Sequence, residues 1–122
     1  MKTIQLGEAE RRFADLIWDN APLSSADLVK AAQTALGWKK STTYTVLKRL
    51  CDKGLFQNDG GTVQVLVTRE DLCGAQSEQF VEETFSGSLP AFLAAFTSRK
   101  KLTKQEVAAL QKLIDDYEED AP

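Results

Sequence analysis

The hydrophobic period of this chain changes just after Gly54, and that change limits the folds open to it. Before Gly54, apolar residues recur at helical spacing. After it, Leu55-Phe56-Gln57-Asn58 and Thr62-Val63-Gln64-Val65-Leu66-Val67 read as β segments. Asp59-Gly60-Gly61 between them supplies the positive-φ residues that a hairpin turn needs. From about residue 70 the helical spacing returns.

The residues before the switch predict three helices. The first covers 8–19, with Ala9, Phe13, Leu16 and Ile17 on one face and Trp18 beside them, and Asn20-Ala21-Pro22 breaks it. The second begins at Ser24, where Ser24 and Asp27 form a capping pattern. It buries Leu28, Val29, Ala32 and Leu36 and ends at Gly37, where a left-handed cap is expected. The third covers about Ser41 to Lys53, closed by Gly54, with Thr43, Val46, Leu47 and Leu50 inward. Two short helices joined by a tight glycine link match a helix-turn-helix. Three helices followed by a hairpin is the order of a winged helix.

The second half predicts three more helices. One runs from about 70 to 85, capped by Thr68 and Asp71, with Leu72, Phe80, Val81 and Phe85 as its apolar residues. Ser86-Gly87-Ser88 interrupts it, after which Leu89, Phe92, Leu93 and Phe96 recur at i, i+3, i+4 and i+7. The basic connector Arg99-Lys100-Lys101 leads to a capping box of Thr103 and Glu106, then a stripe of Val107, Leu110, Ile114 and Tyr117. A frayed acidic tail, Glu118-Glu119-Asp120, is expected. The fold expected is mainly α with a small β-hairpin: a winged helix-turn-helix over residues 1–69, then a three-helix C-terminal dimerisation region over 70–122.

Charge divides the chain in the same way. Residues 1–69 hold 10 Lys/Arg and 7 Asp/Glu, net +3, whereas residues 70–122 hold 5 and 11, net −6. With no histidine in the sequence, Ser-His-Asp and Cys-His catalysis are excluded, as are the usual zinc sites. The pairs Glu82/Glu83, Asp115/Asp116 and Glu118/Glu119 are sequence neighbours, which point about 100° apart on a helix. They form no acid–base site, and no enzyme activity, metal or cofactor is expected. Cys51 and Cys73, with 21 residues between them, read as largely buried thiols in a reducing cytoplasm. The opening Met-Lys-Thr-Ile-Gln-Leu-Gly lacks the apolar core of a signal peptide, and no apolar run approaches the roughly 18 residues of a membrane span. A cytoplasmic location with no membrane insertion is expected.

Residues 39–53 carry Lys39, Lys40, Lys48, Arg49 and Lys53 against Asp52, net +4 in an acidic protein. Cations to neutralise phosphates, with short polar side chains beside them, are what reading a major groove requires. The candidate DNA-binding residues are Lys39, Lys40, Ser41, Thr42, Tyr44, Thr45, Lys48 and Arg49, with the N-terminal part of the helix, Lys40 to Thr45, foremost. The hairpin as a wing offers less: Thr62, Gln64 and the free amides of Gly60 and Gly61. Three short amphipathic helices cannot all hide their apolar faces within one small chain. A second copy is expected to cover Phe80, Phe85, Leu89, Phe92, Leu93, Phe96, Leu110 and Ile114.

The chain resembles the penicillinase-repressor family (BlaI/MecI/CopY type) of bacterial winged-helix transcriptional regulators. Leu6-Gly7-Glu8-Ala9-Glu10 through Ile17-Trp18 is similar to the family's opening helix. Trp38 through Leu55 is similar to its recognition-helix signature: a Trp, then Thr-x-x-Thr, then Leu-x-Arg-Leu and Lys-Gly. The resemblance implies a homodimeric repressor on a palindromic operator, often built on TACA and TGTA half-sites. It implies DNA contact by Thr42, Thr45 and Arg49, with Tyr44 tuning the sequence read. It also implies a membrane sensor and protease as partners, which relieve repression by cleavage in the fifth helix. The family's Asn-Phe bond corresponds here to Ala95–Phe96, and the C-terminal cysteine cluster of the copper-responsive branch is missing.

The function expected is therefore that of a sequence-specific, homodimeric DNA-binding repressor. Two alternatives stand beside it. One is a winged-helix protein-interaction module without DNA binding. The other is a repressor gated by a small apolar ligand at the dimer interface.

Overall fold

The computed structural model describes residues 4–120, with side chains as far as Tyr117. Met1-Lys2-Thr3, on which the reading of the opening segment partly rests, lies outside the described residues, as do the side chains of the acidic tail. The chain forms two compact units, Met1–Gln79 and Phe80–Pro122.

The first unit begins with α1 (Glu8–Asn20), β1 (Leu23–Ser24), α2 (Ser25–Leu36) and α3 (Lys40–Asp52). The strands β2 (Phe56–Asp59) and β3 (Thr62–Val65) follow, and then the opening turns of α4 (Arg69–Phe85). Its core joins Phe13, Ala14 and Ile17 of α1 to Leu28 and Ala32 of α2 and to Val46, Leu47 and Leu50 of α3. Leu55, Phe56, Val63 and Leu72 complete it. Ala9, expected inside, is exposed, and Ala14 takes the inward position. Aromatic contacts tie α1 to its surroundings: the Phe13 ring lies 5.0 Å from that of Trp38 in the link between α2 and α3, and Trp18 meets Phe56 of β2 edge-on at 5.6 Å.

The helix boundaries follow local chemistry. Ser24 Oγ accepts a hydrogen bond from the Asp27 amide at 3.0 Å, and Gly37 ends α2 with φ 69°. Ser24 is therefore the cap of α2 and Ser25 its first residue. The hairpin turn has positive φ at both Gly60 (59°) and Gly61 (92°), which a two-residue turn of the primed type demands. The sheet has three strands in the order β1-β3-β2, all antiparallel. The two-residue strand β1 pairs Leu23 with Val63 and Ser24 with Thr62, a strand that the sequence reading missed.

The start of α4 belongs with the first unit. Leu72 is in its core, Arg11 Nη2 donates to Cys73 Sγ at 3.6 Å, and Gln76 Nε2 donates to the Ile4 carbonyl at 3.2 Å. The two units divide within α4, after Gln79. Cys51 and Cys73 are free thiols that are half-buried, less enclosed than expected.

The second unit comprises the end of α4, α5 (Leu89–Arg99) and α6 (Lys104–Asp120). Ser86 (φ 51°) and Gly87 (φ 81°) turn the chain, and Ser88 Oγ caps α5 by accepting from the Ala91 amide. Thr103 and Glu106 make the reciprocal capping box expected for α6, whose backbone is helical through Asp120. Phe80, Phe85 and Phe92 meet edge-on with ring centres 5.6–6.0 Å apart, and Phe96 follows Phe92 at 6.1 Å. Among the described residues of this unit none is buried. Leu89, Phe96, Val107, Leu113, Ile114 and Tyr117 are between 42% and 71% exposed.

Candidate nucleic-acid interface

The outward strip of α3 follows from what its inward strip must bury. Thr43, Val46, Leu47 and Leu50 are buried, which turns Ser41, Thr42, Thr45, Lys48 and Arg49 away from the core. Lys39 caps the helix with extended backbone and Lys40 opens it, both exposed. Half-buried Trp38, set against Phe13, anchors the turn before them. Thr43 Oγ1 returns to the Lys39 carbonyl at 3.1 Å, and Thr45 Oγ1 to the Ser41 carbonyl at 2.9 Å.

The side chains differ in how free they are. Lys39 and Lys40 have no acidic partner among the described residues. Lys48 Nζ pairs with Asp52 at 3.2 Å, an exposed pair one turn apart. Arg49 Nη1 lies 3.7 Å from Glu10 Oε2 of α1 and its side chain is 53% exposed. Lys53, one of the five cations behind the +4 charge, is withdrawn: its Nζ donates to both Glu10 oxygens and to the Gln5 carbonyl at 2.9 Å. Tyr44 is turned toward α2, its hydroxyl 3.2 Å from Ser25 Oγ. Its ring borders an open cleft of about 590 Å³ shared with Leu47, Lys48, Cys51, Phe56, Gln57, Asn58 and Leu66. Burial pushes the Cys51 thiol pKa up.

The hairpin carries Gln57, Asp59, Thr62 and Gln64 on its outer face, because Phe56, Val63 and Val65 point inward. Thr62 and Gln64 are exposed. The Gly61 amide is not free: it donates to Asn58 Oδ1 at 3.1 Å, so of the two glycine amides expected to be free only that of Gly60 remains a candidate. The outer face bears an acid, Asp59, and no cation. Ala95 and Phe96 lie side by side within α5, both exposed.

Glu10 is the residue that the sequence reading missed. It sits on α1, yet it joins two cations of the α3 region. The signal available was its place three residues after Gly7, whose amide it accepts at 3.0 Å. Among the described residues, no group of three or more His, Cys, Asp or Glu is arranged to hold a metal ion. None of the described helices is long and apolar enough to cross a membrane.

Known proteins are similar to this chain along nearly its whole length. The family described as Penicillinase repressor matches residues 6–116. The chain is 24% identical over 118 residues to the methicillin resistance regulatory protein MecI of Staphylococcus aureus, covering 93% of this chain and 96% of that one. It is 25% identical over 122 residues to the penicillinase repressor of Bacillus licheniformis, covering 96% and 95%. A MecI protein of Mammaliicoccus sciuri is 23% identical over 118 residues. With a winged-helix unit, a helical C-terminal unit and a match from residue 6 to residue 116, the chain belongs to the penicillinase repressor family of transcriptional repressors.

Proposed function

We propose that this repressor acts as a homodimer that binds a palindromic DNA operator through α3 and blocks a promoter by occupying it. The observation that carries this reading is the division of α3 into a buried strip and an exposed strip of cations and hydroxyls. Lys39 and Lys40 would meet phosphates, since no carboxylate competes for them among the described residues. Ser41, Thr42 and Thr45 would face base edges or the thymine methyl, and Arg49 carries donors suited to guanine or phosphate. Lys48 must leave Asp52 to contribute. The wing would add Thr62, Gln64 and the Gly60 amide, a minor share without a cation. No cofactor is required for any of these contacts.

The exposed apolar residues of the second unit support the homodimer. A twofold pairing through Phe80, Leu89, Phe96 and Ile114 and their neighbours would remove them from water. A twofold pair would also present two copies of α3 to one duplex.

The test is selection of duplexes from a random library at about 50–100 mM salt, where phosphate contacts are strong. A twofold-symmetric consensus is expected. Thr45→Ala or Arg49→Ala should weaken binding to it by about 1–3 kcal/mol while the dimer survives. Recovery of no duplex would favour the winged-helix interaction module instead.

A further inference from the structure

Two hydrogen-bond donors and a more distant guanidinium surround the carboxylate of Glu10. The Gly7 amide reaches Oε1 at 3.0 Å, Lys53 Nζ lies 3.1 Å from Oε2, and Arg49 Nη1 lies 3.7 Å from Oε2. The Glu10 side chain is only 14% exposed, whereas that of Arg49 is 53% exposed. Arg49 follows Thr45 by one helical turn and Thr42 by two, so all three share one strip of α3. The guanidinium therefore has one edge toward a recessed acid and the rest toward solvent on the strip that holds those threonines.

We infer that Glu10 is a positioning residue for Arg49, which it holds ready for a DNA contact while Lys53 cancels the carboxylate's own charge. This rests on the reading that α3 meets DNA. A free arginine loses rotamer freedom when it binds, and one already held loses less. A carboxylate near a phosphate would normally repel it. Here Lys53, bonded to both oxygens, leaves the cluster of Glu10, Lys53 and Arg49 with a net +1 facing outward. On this account Lys53 contributes no DNA contact of its own, although it belongs to the basic stretch. Arg49 differs from Lys48 in that its partner is on another helix and recessed, whereas Asp52 is on α3 itself and exposed.

The test is a double-mutant cycle on the full chain, measured by fluorescence anisotropy with a duplex selected by the natural protein. Glu10→Gln should weaken binding about two- to tenfold, the cost of ordering one long side chain. The same substitution in an Arg49→Ala background should change affinity by no more than about 1.5-fold, because nothing is left to position. A Glu10→Gln loss that is equally large without Arg49 would mean an effect through the fold alone, and would overturn the inference. Unchanged or tighter binding by Glu10→Gln would overturn it too.

Should Glu10→Gln fail to fold, Arg49→Lys carries the test. An ammonium keeps the charge but lacks the fork that serves Glu10 and DNA together, so its affinity should fall to within about twofold of Arg49→Ala. Affinity equal to the natural protein's would contradict the inference. If the natural protein selects no duplex at all, the DNA-binding reading fails first and the inference falls with it.

Discussion

Lys53 Nζ lies 3.1 Å from Glu10 Oε2, joining the end of α3 to the first turn of α1. Elsewhere in the first unit the hairpin turn is tied to α2, where the Gly61 carbonyl accepts from the Ser25 amide at 2.8 Å. The Gly7 amide above all, then Lys53 and Arg49, hold the Glu10 carboxyl below its ordinary 4.5, against the opposing effect of burial. A carboxyl with a depressed folded pKa stabilises the fold above its unfolded value and loses that contribution as pH falls through the folded value. Glu10→Gln should therefore cost about 1–3 kcal/mol at pH 7, in the range of hydrogen bonds to charged groups. The difference from the natural protein should shrink as pH drops below 4.5. Urea titrations at several pH values check this, and a difference that does not vary with pH would contradict it.

Leu50 is fully buried where α3 meets the core shared with α1, α2 and the sheet. Leu50→Ala should destabilise the chain by about 2–5 kcal/mol. The readout is the denaturant midpoint at unchanged slope.

How much of this unit was legible in the sequence depends on the range of the interaction concerned. Thr43, Val46, Leu47 and Leu50 were placed inward correctly because a helix repeats every 3.6 residues, and burying them fixes which side chains face out. Gly37 and Gly54 have the positive φ values expected of helix stops. The losses came from contacts distant in sequence. Strand β1 is two residues long, too short for alternation to show, and exists because Val63 and Thr62 offer it an edge. Ala14 displaced Ala9 because the stripe of α1 is set by α2 and the sheet as well as by its own spacing. The tie from Glu10 to Arg49 and Lys53 crosses from one helix to another, and helical period carries no trace of it. The Gly61 amide, free on sequence grounds, is bonded in the structure because the Asn58 side chain closes back on the turn once the hairpin has formed.

Ser24 has two roles, pairing with Thr62 in the sheet and capping α2. Ser24→Ala keeps the backbone pairing and removes the cap. It should lower stability by about 1 kcal/mol, as typical of lost N-caps. Ser24→Asp should retain most of it, because a carboxylate oxygen also accepts from the Asp27 amide.

Ile114 is 48% exposed on α6, within the stripe of Val107, Leu110 and Tyr117. If a second copy covers that stripe, Ile114→Glu places a charge in the apolar interface. Sedimentation should then show dissociation into monomers at concentrations where the natural chain is dimeric. Operator affinity should fall with it, since two linked α3 helices bind far more tightly than one.

The central claim, that the outward strip of α3 meets a DNA duplex, is tested most directly by the salt dependence of binding. Affinity for a selected duplex is measured from about 50 to 200 mM salt for the natural chain and for Lys39→Ala/Lys40→Ala. The slope of log K against log salt should become shallower by about 1 per lysine removed from each half-site. A slope that the double variant leaves unchanged would contradict the assignment of α3 as the DNA-facing helix.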